Sequence, residues 1–339
     1  MRQSAPTVTD PLPSLPPVSL VANPLNHSTP PQVARARLCI VAAAVLWSLG
    51  GFFTRVLQND TILHVNNPEL SPLQITFYRA LFAGLVFLPL LRRRDITFRP
   101  QMVLMVGLFA AMSMLFLSAL ALGSAANAIL LQNTAPFWVY LICVYFLGDA
   151  HDARSLQSIL IGMVGVCIII GGGWLRDGFG RVEVTLMALA SALMYAGVIV
   201  CLRGLKTCSS MWLTTLNHLG SALVLGAGIA LIHGVDFWLS WVQSPSGPQL
   251  GFLAVFGVVQ MALPYALFAI GLRHVSPQEA GMIALIEPLL NPVWAYLISP
   301  QTDTPPWTTF VGGLLIIGAL LRHFLFRKEV EIKLPEIID

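Results

Sequence analysis

Ten stretches of this chain, near residues 36–57, 72–91, 101–122, 125–147, 155–173, 182–203, 211–232, 249–271, 277–299 and 307–326, are apolar over most of their length. About 20 apolar residues in a row suffice for a helix to cross a bilayer. Hydrocarbon offers the backbone no hydrogen-bond partner, so a segment that crosses it must satisfy its amides and carbonyls internally, as a helix does. The connections are short, and the longest, around His233 to Pro248, reads as a loop. Only 10% of the 339 residues are charged, against about 25% in soluble domains. The fold class expected is therefore an all-α integral membrane protein with ten transmembrane helices in the lipid bilayer.

Residues 1 to about 34 are rich in Pro, Ser, Thr and Asn without apolar periodicity, the composition of a disordered tail. They lack the basic and then apolar pattern of a signal peptide. A second short tail covers 327–339. Basic residues set the expected orientation. Arg35, Arg37, Arg92, Arg93, Arg94, Arg99, Arg154, Arg203, Lys206, Arg273, Arg322, Arg327, Lys328 and Lys333 fall on one side, against Arg55, Arg176 and Arg181 on the other. Arg2 lies in the tail and Arg79 within a helix. By the positive-inside rule both termini are cytoplasmic, in the plasma (inner) membrane. The net charge of +3 is then a topology signal and not a nucleic-acid footprint. The sequon Asn59-Asp60-Thr61 faces outward in this reading. Five scattered cysteines without CxxC or Cys/His ligand spacing read as buried free thiols, with no metal or other cofactor implied.

The two halves resemble each other. Moving the first half forward by 152 residues brings Ser124 onto Ser276 and Pro136 onto Pro288; a shift of 148 brings Trp47 onto Tyr195 and Arg55 onto Arg203. Arg79 then falls on His218. Units over 36–173 and 182–326 hold five helices each, an odd number, so the second copy lies upside down. Inverted repeats with interrupted helices at their interface are common in secondary transporters. Duplication for packing alone gives the same symmetry.

The ninth run carries the strongest chemical signal. Glu287 sits about ten residues, or roughly 15 Å, into its helix, near the midplane. A carboxylate there is costly and usually faces a cavity or a partner. It could contact a substrate ammonium or couple transport to protons; otherwise it bonds backbone freed by Pro288. Pro288 and Pro292 are candidate helix breaks, as is Pro136 in the fourth run, where Gln132 and Asn133 offer donors and acceptors to a polar substrate or to a neighbouring helix. Arg79 could hold a substrate carboxylate bidentately or pair internally, and His218 could relay protons or simply pack. Trp47, Tyr78, Tyr195 and Tyr265 could line a cavity, although membrane aromatics commonly serve as packing or interfacial anchors. The Ala188, Ala192 and Ala196 stripe suits close helix contact.

Several segments together resemble the EamA family of the drug/metabolite transporter superfamily. These are Ala44 to Gly50, Phe77 to Ala80, Leu131 to Pro136, and Gly271 to Ala280 continuing through Glu287-Pro288 to Asn291-Pro292-Val293-Trp294. The resemblance covers about residues 36–326. It implies ten-helix carriers of amino acids, nucleotide-like metabolites and other small organic molecules, often exporters, with a cavity lined by the first, third, fourth, sixth, eighth and ninth helices. Family members usually carry a Gly-Glu pair after the fourth and ninth helices. Here Gly148-Asp149 keeps the first acid, whereas Ser299-Pro300-Gln301-Thr302-Asp303 reads as having no equivalent.

The function expected is a secondary-active or facilitative carrier of small organic metabolites, amino acids or related compounds, working by alternating access with export favoured. A non-transporting scaffold or an intramembrane enzyme is the alternative. No GxSxG elbow, HExxH, Walker A loop or channel filter sequence is present, so direct ATP drive and these enzyme classes are not indicated.

Overall fold

The computed structural model describes residues 30–177 and 182–326. The expected tail over 1–29, its counterpart over 327–339, and Arg2, Arg181, Arg327, Lys328 and Lys333 lie outside the described residues. Described residues form helices and no strands. In chain order they are α1 Pro30–Gln58, α2 Pro72–Leu90, α3 Pro100–Leu122, α4 Ala125–Phe146, α5 Ala153–Asp177, α6 Val182–Gly204, α7 Ser210–His233, α8 Gly247–Gly271, α9 in two pieces Pro277–Ala284 and Ile286–Ile298, and α10 Trp307–Phe326. Among the described residues nine helices are long and apolar enough to cross a membrane, and the last is apolar over the shorter stretch Trp307–His323. Leu104, Phe146, Leu175 and Leu231 lie on the outside of the bundle, a surface suited to lipid and not to water.

Three expectations are corrected. Residues 30–34, placed in the disordered tail, begin α1; their polar composition hides a helical extension of the apolar run. The 233–248 connection is not only a loop, because Val235–Gln243 forms a short helix with Trp241 turned into the core. The five cysteines are all free, but only Cys143 and Cys201 are buried, and Cys167 lies on the outside of the bundle.

Helix starts follow local chemistry. Ser71 and Gln74 form a reciprocal capping box ahead of α2, as do Ser246 and Gln249 ahead of α8. Both glutamines also reach distant loops: Gln74 donates to the Trp241 carbonyl at 2.9 Å, and Gln249 to the Val65 and Pro68 carbonyls at 2.9 and 2.7 Å. Ser124 caps α4 through the Asn127 amide, and Ser276 caps α9 through the Glu279 amide, each at 3.2 Å.

Helix α1 lies along α8 and α9, α6 along α3 and α4, α2 on α7, α5 on α10, and α4 meets α9. Exchanging each helix for the one five places away returns this same set of pairs. The α5–α10 crossing is close enough to require glycine from both partners. A Cβ on Gly165 would sit 2.5 Å from the Gly312 carbonyl oxygen, and one on Gly312 would sit 2.6 Å from that of Gly165.

Four helices are interrupted. Helix α1 breaks at Leu49, α4 at Asn133–Thr134 ahead of Pro136, and α9 at Leu285 ahead of Pro288. Pro292 lies within continuous helix. Helix α8 widens into a π segment over Gly257–Ala262, a distortion that often marks functional sites.

A further correction concerns the acid after α9. Asp303 does have the place of a counterpart to Asp149. Arg55, near the end of α1, donates through Nε to Asp303 Oδ2 at 2.6 Å, and Arg203, near the end of α6, donates through Nη1 to Asp149 Oδ2 at 2.6 Å. Sequence spacing hid the match because two extra residues separate Asp303 from its helix.

Candidate functional site

The α1 break, the α8 π segment and the second half of α9 converge. Opening α1 at Leu49 frees the Trp47 carbonyl, which accepts from Gln260 Nε2 at 3.0 Å. Ser48 Oγ accepts from Trp294 Nε1 at 2.9 Å and donates to the Val45 carbonyl at 2.6 Å. Polar side chains thus replace the helical bonds that the break removes, as membrane helices require. Gly50 and Gly51 permit the approach. A Cβ on Gly51 would lie 2.7 Å from Asn291 Oδ1 and 3.1 Å from the Asn291 carbonyl oxygen.

Arg79 of α2 reaches the same centre. Its Nη1 lies 3.4 Å from Gln260 Oε1, and its guanidinium carbon lies 5.5 Å from the Phe256 ring centroid. The side chain is 3% exposed, its Nε has no hydrogen-bond partner, and it forms no ion pair with a described residue. A guanidinium keeps its charge at physiological pH. A buried cation without a counter-ion is costly, and such groups inside membrane proteins mark substrate or ion pathways.

Aromatic rings extend the site. Trp47 packs edge-on to Tyr265 at 5.3 Å between centroids, and Tyr265 meets the His218 ring at 5.6 Å. His218 in turn packs on Phe109 at 5.2 Å, and neither of its buried ring nitrogens has a partner. Tyr265 lies within electrostatic reach of Arg79, Tyr195 and Glu287. Tyr195 is 36% exposed, yet it too lies within reach of Glu287. Glu287 is half-buried and in no ion pair with a described residue.

Trp47, Arg79, Tyr195, His218, Tyr265 and Glu287 therefore gather around one centre, drawing on α2 and α7 as well as α1, α6, α8 and α9. Tyr78 does not join them: its hydroxyl donates to the Val242 carbonyl near the end of the short connecting helix. Asn133 turns back on its own helix, donating to the Ile129 carbonyl at 2.9 Å. Gln132 is half-buried at the same break. Sequence reasoning did not single out Gln260, Asn291 or Trp294 as site residues. Gln260 was detectable as a lone amide in the middle of an apolar run. Asn291 is 1% exposed and its Oδ1 has no hydrogen-bond partner.

One carboxylic acid and one guanidinium, neither in an ion pair with a described residue and both near aromatic rings, form a polar pair inside an apolar bundle.

Comparison with known proteins identifies the family. The model of the EamA-like transporter family matches twice, over residues 34–171 and 184–323. An uncharacterized transporter of Archaeoglobus fulgidus is 28% identical over 285 residues, covering 83% of this chain and 93% of its own length. The pseudopaline exporter CntI of Pseudomonas aeruginosa is 22% identical over 290 residues, covering 84% of this chain and 96% of its own. A protein of known crystal structure shares the fold with a TM-score of 0.55 and 18% identity, over 86% of this chain and 99% of that one. The family and its named relatives are transporters, and the helices are those of a multi-pass membrane protein. With both halves matched, the chain belongs to the EamA-like transporter family.

Proposed function

We propose that this transporter is a carrier of small zwitterionic metabolites, amino acids or close relatives, that moves them out of the cell by alternating access. The observation that carries the proposal is that Glu287 and Arg79, neither in an ion pair with a described residue, both lie within electrostatic reach of Tyr265. A substrate ammonium placed at Glu287 and a carboxylate placed at Arg79 would satisfy both, the latter bidentately. Trp47, Tyr195 and Tyr265 would cover the substrate's apolar body. Glu287 would also exchange a proton for the substrate ammonium, which couples export to a proton gradient. His218 is placed to pass that proton on.

In this reading all ten helices cross the membrane, as two inverted five-helix repeats over 36–173 and 182–326. The reciprocal pairing of α1 with α8 and α9, and of α6 with α3 and α4, supports the inversion. The breaks at Asn133–Thr134 and Leu285, each just ahead of a proline, supply hinges. The distribution of basic residues puts both termini in the cytoplasm and the protein in the plasma membrane. Arg55, Ser124 and Asp303 then face outward. The exporter relative from Pseudomonas aeruginosa supports the direction.

The test is untargeted metabolite profiling of cells and medium with the intact protein, Glu287→Gln protein and empty vector. The expected result is one or more zwitterionic compounds appearing in the medium only with the intact protein. No difference between correctly inserted protein and empty vector would contradict the carrier reading. A flux that survives Glu287→Gln at every pH would remove Glu287 from the site.

A further inference from the structure

The two arginine–aspartate pairs occupy corresponding places at opposite ends of the bundle, but their surroundings differ. The Arg55–Asp303 pair is bidentate, with Nε to Oδ2 at 2.6 Å and Nη2 to Oδ1 at 3.1 Å, and its side chains are 4% and 0% exposed. Arg55 also donates to the carbonyls of Ala121 at 3.2 Å and Gly123 at 2.5 Å, and to Gln58 Oε1 at 2.9 Å. Asp303 accepts from the Ala125 amide at 2.8 Å. One charge pair therefore fastens the ends of α1 and α9 to the end of α3 and the start of α4. The Arg203–Asp149 pair is also bidentate, but through Nη1 and Nη2, at 2.6 and 3.1 Å, and its side chains are 53% and 37% exposed.

We infer that Arg55 and Asp303 form a latch that closes the Arg55 end of the site, and that the exposed Arg203–Asp149 pair leaves the Arg203 end the easier to open. The resting transporter is thereby biased toward a state closed at one end and loaded from the other. This rests on the alternating-access reading above, in which the Arg55 end is external and resting molecules load from the cytoplasm. Burial strengthens the latch, because opening it exposes and separates charges already fully hydrogen-bonded. The exposed pair is screened and opens easily.

Distance measurements between spin labels test the latch without requiring a substrate. Labels on Asp60→Cys and Glu183→Cys report the Arg55 end, and labels on Arg35→Cys and Lys206→Cys report the other, in full-length protein with native cysteines replaced, reconstituted in lipid discs. The unmodified latch should give one short distance at the Asp60/Glu183 pair. Asp303→Asn should add a longer population, enriched on the order of tenfold or more, since removing one charge strands the other. Asp149→Asn should leave that distance unchanged. Should Asp303→Asn fail to yield folded protein, Arg55→Lys keeps the charge, loses the fork to Gly123 and Ala121, and should open the same end to a smaller degree. Unchanged distances in the folded Asp303→Asn or Arg55→Lys protein, or equal opening by Asp149→Asn, would overturn the latch. An end that opens as described in a protein that moves no metabolite would keep the latch and discard the carrier reading.

Discussion

Helices α4 and α9 begin alike and end up doing different work. Each starts from a serine cap, breaks at the same distance from that cap, and carries a proline just after the break. At the residue before that proline α4 has Ala135, fully buried, and α9 has Glu287, half-buried. The contrast recurs between α1 and α6. Where α1 opens at Leu49 and continues with Gly50 and Gly51, α6 has Gly197, Val198 and Ile199 and remains continuous. The shared features build the frame, and the differences build the site. The proposed site draws on the positions where the two copies differ.

The largest expected effect breaks that contrast at its charged member. Glu287→Gln should lower export by about 100-fold or more, the scale of removing one partner from a buried charge contact. Ala135→Glu in the same protein should not restore it, because α4 lacks the facing aromatic rings and Arg79. Recovery of flux in the double variant would show the two helices to be interchangeable. Export of the identified compound from cells reads both.

A smaller effect is expected from Gly51→Ala. The added methyl group meets Asn291 at 2.7 Å, and overpacking of this kind costs about 1–3 kcal/mol. Ile199→Ala at the corresponding place in α6 removes volume beside a continuous helix and should leave transport within about threefold, since half-buried aliphatic truncations are mild. Thermal unfolding in detergent together with export distinguishes the two. Equal losses would mean that the α1 break is not special.

Gln260→Leu sharpens the comparison further, because Leu108 stands at the corresponding place in α3. The change strands the Trp47 carbonyl and removes the neighbour of Arg79, costing about 1–3 kcal/mol for the unsatisfied group. Lowered apparent affinity with an intact fold, measured as the substrate dependence of flux, is the outcome expected. An unchanged affinity would detach α8 from the site.

The smallest effect lies outside the membrane. Asp152 caps α5, accepting from Ser155 Oγ at 2.7 Å and from the Ser155 amide at 2.9 Å. These bonds, with the Ser155 hydroxyl first, hold its carboxyl below the usual aspartate value of 3.8. A group with a lowered folded value contributes stability above its unfolded value and loses it as pH falls through the folded one. Asp152→Asn should therefore cost well under about 1 kcal/mol near neutral pH, as exposed charges do, and should flatten the loss of stability below pH 3.8. Melting temperature against pH is the measurement. Helix α10 starts behind Pro305 and Pro306 without such a capping acid and should show no comparable dependence.

Much of the frame was legible in the amino-acid sequence because membrane helices announce themselves by length and apolarity. The run 101–122 became Pro100–Leu122, and 211–232 became Ser210–His233. The break in α1 was not legible. Nothing local forbids a helix through Leu49-Gly50-Gly51; the opening is held by Gln260, more than 200 residues away in sequence, and by Trp294. Asp303 was missed for a related reason, since its identity as a counterpart of Asp149 lies in the arginine it meets and not in its spacing. The charged centre was half legible. Glu287 and Arg79 stood out as ionisable residues within apolar runs, but only the fold brings both within electrostatic reach of Tyr265.

The most direct test of that arrangement uses analogues of whichever compound the transporter exports, one with its amine blocked and one with its carboxylate blocked. Export of each is measured from membrane vesicles bearing the intact protein, Glu287→Gln or Arg79→Gln. The account predicts that the intact protein rejects both analogues. Glu287→Gln should lose discrimination against the blocked amine alone, and Arg79→Gln against the blocked carboxylate alone. If both variants slow all three compounds by the same factor, the two charges support the fold and do not hold the substrate.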